Sequence, residues 1–433
     1  MALGGGTFVA QNKILPGSYI NFISLASADA ALSDRGIAAM ALDLDWGKDG
    51  EAFIVTREDF TKRSQEVFGY DYGHEKMKGL RDLFLNIHTL ITYKLSSGGV
   101  KAQSVHALAT HSGVRGNDLK VSIQPTVDNP LNFEVITYLG TRAVDEQIVT
   151  KATDLVPNAY VSFKPGLTLA ATASTPLTGG TNGVVDGASH QAFLDKSESY
   201  SYNAMGVVSN DPITNKLYAT HAKRMRDERG QKFQAVVFNE AANYEGVVNV
   251  KNTVSGDKES ALVYWITGIV AGTAVNASAL NTIYNGEFDV NVDYTQTQLE
   301  QAIQAGEFTL HRVGSDIRVL NDINSLVTFT PEKGKVFQDN QSIRVIDQIA
   351  NDIASLFANK YLGQIPNDQS GRVSLQSDIV THHLDLQAMR AIEGFSEDDV
   401  TVELGNDKKS VIATDAITIV NTMEKLYMSV IVQ

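Results

Sequence analysis

Four places in this sequence bring together residue types that could do chemistry. Asp43-Leu44-Asp45-Trp46-Gly47 has the alternating carboxylates that open a calcium loop. Such a loop needs an oxygen ligand at its fifth position, glycine at the sixth and glutamate at the twelfth. Those positions hold Gly47, Lys48 and Ile54, so a structural turn is the expectation. His106 and His111 are five residues apart, wrong for two ligands on one helical face, and both read as surface histidines. His382-His383 is adjacent within an expected helix, where consecutive side chains diverge by about 100°. One of the two is expected on the apolar stripe as a satisfied core residue rather than a metal ligand. Gly272-Thr273 is followed by Ala274, where a subtilisin-type Gly-Thr-Ser sequence would carry its nucleophile.

The sequence contains no phosphate-binding loop, dinucleotide fingerprint, HExxH or GxSxG. No catalytic residue, cofactor or metal site is therefore expected. The 433 residues include no cysteine, which removes disulfides, zinc ribbons and thiol nucleophiles. Acidic residues outnumber basic ones 50 to 36, a net charge of −14. With no Lys/Arg-rich block, direct contact with nucleic acid is not expected. No apolar run approaches the ~18–20 residues that span a bilayer, and residues 1–6 lack the features of a secretory signal, so no membrane insertion is expected. Charged residues are only 20% of the chain against a usual ~25%, which suggests that much of its surface meets other protein.

The elements that must position these residues divide the chain into six parts. Residues 1–33 read as an N-terminal arm: Gly4-Gly5-Gly6, then a β-forming run in which Tyr19, Ile23 and Leu25 face one way and Ile20 and Phe22 the other. Residues 34–98 read as an α+β domain. Thr56 can cap a helix running through Phe60 and Val67 to Gly69, a second helix covers 75–87, and 89–95 is strand-like. Residues 99–184 read as a small all-β insertion with strands at 119–123, 132–138 and 160–163, ending in a low-complexity tail over 168–183. Residues 185–332 alternate strand and helix, the pattern of a parallel or mixed sheet covered by helices. Residues 333–413 hold two helices and then strands at 400–404 and 411–413. Residues 414–433 read as a C-terminal arm carrying Ile417, Ile419, Leu426, Tyr427, Met428, Val430 and Val432, its final strand running from 426 to 433.

Apolar strands at both ends need neighbours, since an uncovered edge invites aggregation. Each could complete its own domain's sheet or add a strand to another subunit's sheet. The Gly-rich and Ala-rich flanks of the N-terminal strand suit an arm.

Five segments resemble the contractile tail sheath proteins of myophages and phage-tail-like particles. They are Pro16-Gly17-Ser18-Tyr19-Ile20-Asn21-Phe22, Asp45-Trp46-Gly47 with Phe60 and Phe68-Gly69, Arg115-Gly116-Asn117-Asp118-Leu119, Ala271-Gly272, and Glu424-Lys425-Leu426-Tyr427-Met428-Ser429-Val430. The resemblance implies a multi-domain α/β and α+β fold: a subtilisin-like central domain without proteolytic activity, an inserted β-domain, a helical C-terminal region and strand-donating arms at both ends. It implies a non-enzymatic subunit, assembled in a bacterial cytoplasm into the virion tail, that stacks on itself as six-fold rings around an inner tail tube protein. Baseplate and tail terminator proteins are the implied end partners. Contraction would drive the tube through the target envelope. Asp378, Asp385 and Arg390 are candidates to face the tube, or belong to an ordinary solvated helix face. A receptor- or carbohydrate-binding particle protein is the alternative reading.

Overall fold

In a computed structural model, residues 32–432 are described. Tyr19, Ile20, Phe22, Ile23 and Leu25 lie outside the described residues. The chain forms two compact units, one of Asp34–Asn351 with the segment from Ile419 on, the other from Asp352 to Thr418.

The larger unit is built on seven strands: β1 (Ile37–Leu42), β2 (Ala52–Thr56), β3 (Thr89–Lys94), β10 (Ala204–Gly206), β11 (Gln234–Phe238), β12 (Val247–Val250) and β15 (Glu307–Phe308), in the order β15-β12-β11-β10-β1-β3-β2. All neighbours are parallel except β2 against β3. β1 sits in the middle, Ala38 facing Leu90 on one side and Ala204 on the other. β11 is buried along its whole length, as expected of a parallel strand covered on both faces.

Alternation then assigns the helices. Met40, Leu42, Val236 and Val248 point to a core shared with Leu83 and Phe84 of α2 (Lys78–Phe84) and Trp265 and Ile266 of α5 (Val263–Gly272). Ala39, Ala41, Ala235 and Val237 point the other way, towards Phe193 of α3 (Gly187–Ser197) and Tyr218 and Ala222 of α4 (Pro212–Arg224). α5 packs so closely on β10 that a Cβ on Gly206 would lie 2.2 Å from the Thr267 hydroxyl. The helix read from Thr56 is α1 (Arg57–Phe68), with the Thr56–Asp59 capping box and a left-handed Gly69. Asp211 caps α4 with Pro212 at its first position. The unit also holds α6 (Gln296–Gln304), the pair β13 (Val254–Ser255) and β14 (Asp289–Val290), and the hairpin β16 (Leu310–Val313) and β17 (Asp316–Val319).

A β-sandwich lies between β3 and α3. One sheet runs β7-β6-β5-β9, from β5 (Leu119–Pro125), β6 (Phe133–Leu139), β7 (Arg142–Val149) and β9 (Thr172–Pro176); the other pairs β4 (Ala107–Ala109) with β8 (Val161–Phe163). Val121, Ile123, Val135 and Val161 fill the space between them, and Trp46 joins that core from the loop after β1. The stretch expected as a low-complexity tail supplies β9, paired to β5. β7 carries too many polar residues, the exposed Arg142 and Glu146 among them, to show an alternating pattern in the sequence.

In the larger unit α7 (Asn340–Leu356) begins at Asp339, whose carboxylate accepts from the Ser342 amide at 2.7 Å. The smaller unit starts at Asp352 and contains α8 (Gln369–Ala388), the two-residue β18 (Ile392–Glu393) and a hairpin of β19 (Val400–Leu404) and β20 (Val411–Asp415). Val400 pairs with Asp415 and Leu404 with Val411. Gln376 of α8 donates to the Val400 carbonyl at 2.7 Å, and Asn367 to the Ser410 carbonyl at 2.9 Å, fixing the hairpin at both ends.

Candidate subunit interface

The C-terminal segment has a root and a free run. At the root, Gln341 holds two backbone groups at once: its Nε2 donates to the Val420 carbonyl at 3.1 Å and its Oε1 accepts from the Thr422 amide at 3.1 Å. Between them Asn421 Nδ2 donates to Asp339 Oδ2, also at 3.2 Å from Ser342 Oγ. Behind this turn Arg344, almost fully buried, pairs with Asp322, which also accepts from the Ala279 amide at 2.8 Å and from Asn340 Nδ2 at 3.0 Å. Burial would raise the Asp322 carboxyl, but Arg344 and these donors outweigh it and hold it below the usual range. At Asp339 burial wins: it pushes the carboxyl up, with Asp322 adding to it, and the Ser342 hydrogen bonds and Arg344 offset it only in part.

Beyond the root the chain buries almost nothing. Asn321 reaches Glu424 at 3.3 Å, and after that Leu426 is 85%, Tyr427 89% and Val432 89% exposed. Met428 and Val430 are exposed too, whereas Ile417 and Ile419, nearer the root, are half-buried. The strand expected over 426–433 is not formed in the described part of that range. Among the described residues its backbone joins no ladder, and β-structure needs a partner for its N–H and C=O groups. Seven large apolar side chains in the ten residues Met423–Val432, held at one end and exposed along the run, form the kind of uncovered surface that marks a protein interaction site.

The hairpin β19–β20 offers a complementary feature. Among the described residues its strands pair only with each other, and Leu404 and Ile412 are exposed.

The tube-facing candidates lie on or just after α8. Asp378 is half-buried and bonds Lys360 at 2.7 Å and the Tyr361 hydroxyl at 2.5 Å; Asp385 and Arg390 are exposed.

The residues singled out for chemistry serve structure instead. Asp45 pairs with Lys76 and accepts from the Tyr70 hydroxyl at 2.7 Å and Asn182 at 2.9 Å, so the turn at 43–47 joins the first domain to both ends of the sandwich. Gly113 is required at this joint: its φ is +123°, and a Cβ there would stand 1.9 Å from the Asp45 carbonyl. Close by, Lys94 is fully buried and bonds Ser112 and Asp49, and burial lowers its pKa. His111 is not a surface residue. It stands edge-on to Trp46, ring centroids 5.0 Å apart, and burial lowers its pKa to about 4. His382 and His383 are both fully buried, so a single core histidine was too few. The signal missed was the polar partner: Asp352 and Asp415 lie 30 and 32 residues away in sequence. Among the described residues no group of three His, Asp or Glu could hold a metal, and no helix is long and apolar enough to cross a membrane.

The residues singled out for chemistry are thus held in joints of the chain's own fold, beside an exposed apolar run near the C-terminal end. Three family models match in order along the chain: the phage tail sheath β-sandwich domain over 88–182, the central domain over 183–325 and the C-terminal domain over 332–433. The phage-like element PBSX protein XkdK of Bacillus subtilis (strain 168) is 31% identical, with 99% of each chain covered. The crystal structure of a sheath tail protein from Desulfitobacterium hafniense is 32% identical with a TM-score of 0.81, over 95% of this chain and 99% of that one. The helical sheath of the anti-feeding prophage in its contracted state has a TM-score of 0.57 over 96% of this chain and 99% of that one; at 13% identity it shows the fold alone. The chain belongs to the phage tail sheath protein family. It is a structural protein of a phage-type tail and not an enzyme.

Proposed function

We propose that this subunit polymerises around an inner tube by donating strands from both ends and that the resulting sheath contracts. The observation that carries the reading is the uncovered run Met423–Val432 on a fixed root, with Tyr19, Ile20, Phe22, Ile23 and Leu25 as the matching residues of the N-terminal arm. The acceptor in this reading is the β19–β20 hairpin, whose outer edges carry no further strand among the described residues. Addition of a strand there would form about four to six backbone hydrogen bonds, each worth about 0.5–1.5 kcal/mol net. Burying Leu426, Tyr427 and Val430 contributes roughly 1.5–3 kcal/mol each, the larger share. Two such joints per subunit, repeated round a six-fold ring, make dissociation of any one of them a local event.

Contraction in this reading is a rigid-body change of the folded units with the arms as hinges. The short polar root at 420–422 supports the hinge, because few hydrogen bonds and little apolar area fix the segment's direction. The central domain is subtilisin-like in this reading, with a helix-covered parallel sheet whose Gly272-Thr273-Ala274 turn lacks a nucleophile. Boundaries at 33, 98, 184, 332 and 413 complete the proposed domain plan. The inner tail tube, baseplate and tail terminator are the proposed partners, with assembly in the host cytoplasm before release.

Removal of residues 423–433 tests this. The shortened protein is expected to fold and remain dispersed, while the full chain forms helical tubes by electron microscopy. Ordered tubes from the shortened protein would refute donation by this arm.

A further inference from the structure

An asparagine followed by glycine is prone to close on itself, because glycine has no Cβ to hinder attack of its amide nitrogen on the preceding side chain. The chain has two such pairs, Asn182-Gly183 and Asn285-Gly286, and the fold treats them differently.

At Asn182 every group the reaction needs is engaged. Its Nδ2 donates to Asp45 Oδ1 at 2.9 Å, its Oδ1 accepts from the Val114 amide at 2.9 Å, and the Gly183 amide donates to the Ser96 carbonyl at 2.8 Å. Asn285 is exposed, and its Oδ1 accepts at 2.9 Å from the indole N–H of the fully buried Trp265. Among the described residues its Nδ2 and the Gly286 amide take part in no hydrogen bond. The turn is held by its other residues instead. The Glu287 amide donates to Asp82 Oδ1 at 2.9 Å, and the Phe288 amide to the Tyr284 hydroxyl at 2.8 Å. That hydroxyl donates in turn to Asp82 Oδ2 at 2.9 Å.

We propose that Asn285-Gly286 is a self-modification site, converting in the folded chain to aspartate and isoaspartate through a cyclic imide. Solvent takes the proton of the Gly286 amide as its nitrogen bonds to Asn285 Cγ. The displaced electron pair moves onto Oδ1, then returns as the Cγ–Nδ2 bond breaks and ammonia leaves with a proton from solvent. Water adds to either carbonyl of the imide and opens it, leaving a carboxylate in both products. Water is consumed, ammonia is released, and nothing is oxidised or reduced.

Trp265 supplies what separates this pair from the other. An N–H already fixed on Oδ1 stabilises the oxyanion as it develops, with no reorganisation at the moment of attack. The free Nδ2 departs without breaking a hydrogen bond, whereas at Asn182 its departure would strip a donor from Asp45. The new carboxylate joins a turn that already packs on Asp82 and carries Glu287, whose carboxylate meets Arg81 of α2 at 2.6 and 2.7 Å. The isoaspartyl form also lengthens the backbone of that turn by a methylene, which loosens the Arg81–Glu287 tie. None of this rests on the function proposed above.

The test incubates the full-length protein near neutral pH and follows peptides covering residues 182 and 285 by mass spectrometry. Electron-transfer fragmentation separates aspartate from isoaspartate. In the folded chain Asn285 is expected to convert at least about tenfold faster than Asn182. In urea, where both are plain Asn-Gly pairs, the two rates should converge. Trp265→Phe keeps a ring in the core but removes the N–H; it should slow conversion at 285 about tenfold in the folded chain and leave the rate in urea unchanged. Equal rates at the two sites in the folded chain, or a rate at 285 untouched by Trp265→Phe, would overturn the proposal. Should that variant not fold, the comparison of the two sites in the wild-type chain, folded and in urea, decides alone.

Discussion

Asn421 donates through Nδ2 to Ser342 Oγ at 3.2 Å, and this contact marks where the C-terminal segment stops being part of the folded body. Upstream of it Ile417 and Ile419 are half-buried; downstream the apolar side chains stand in water. A joint made of side-chain hydrogen bonds can hold a position without fixing a direction, which is what a hinge requires.

Asn421→Ala and Gln341→Ala should each cost about 1 kcal/mol or less of root stability and leave the body folded. Limited proteolysis with mass spectrometry should show faster cutting around 420–424 in both variants. Unchanged cutting would mean that the root is held by something other than these side chains.

Leu426→Asp combined with Val430→Asp should leave thermal unfolding within about 0.5 kcal/mol of wild type, because both residues are exposed in the single chain. The same pair should prevent tube formation, since each carboxylate would have to be buried in the joint. Calorimetry and electron microscopy read the two halves separately.

Arg226 and Asp347 form a buried two-pronged pair, with contacts of 2.6 and 2.7 Å, between the end of α4 and α7. Burial lowers the Arg226 pKa and Asp347 more than restores it, so the guanidinium stays charged. Arg226→Met should cost about 3–5 kcal/mol by stranding the carboxylate. Adding Asp347→Leu should recover a large part of that in urea denaturation, a coupling that independent sites would not show.

His111 and His221 are both held to about 4 by burial, with Lys94 and Arg224 adding to it. Their folded values lie below the ordinary value near 6.5, so the folded chain binds fewer protons than the unfolded one in between. The stability they allow is complete above about pH 6.5 and falls as pH drops towards 4. Denaturation midpoints at pH 7.5 and 5 should differ more in the wild type than in His111→Gln.

Asp385→Lys and Arg390→Glu reverse exposed charges on α8 and just beyond it. Should this face meet the inner tube, sheath formation on purified tubes falls while the subunit's own stability does not. Equal assembly would return both residues to a solvated surface.

How far the fold could be read from the sequence varied by element. α1 was legible because Thr56, Asp59 and Gly69 mark its ends within a few residues of its own turns. β11 and β12 were legible because a strand buried on both faces is a continuous apolar run. β7 was not, since an edge strand facing water carries no alternation. Nor were the partners of His382 and His383, which arrive from a separate helix and strand.

By itself, then, the sequence determined the helices with their caps, the buried strands and the existence of an apolar run over 426–432, all set by residues a turn or a pleat apart. Tertiary structure alone decided that β1 lies between Thr89–Lys94 and Ala204–Gly206, that Trp46 fills the sandwich, and that the final run is left without cover. The physical reason is range: caps and periodicity act over a few residues, whereas choice of neighbour is made only when distant surfaces compete for the same apolar face.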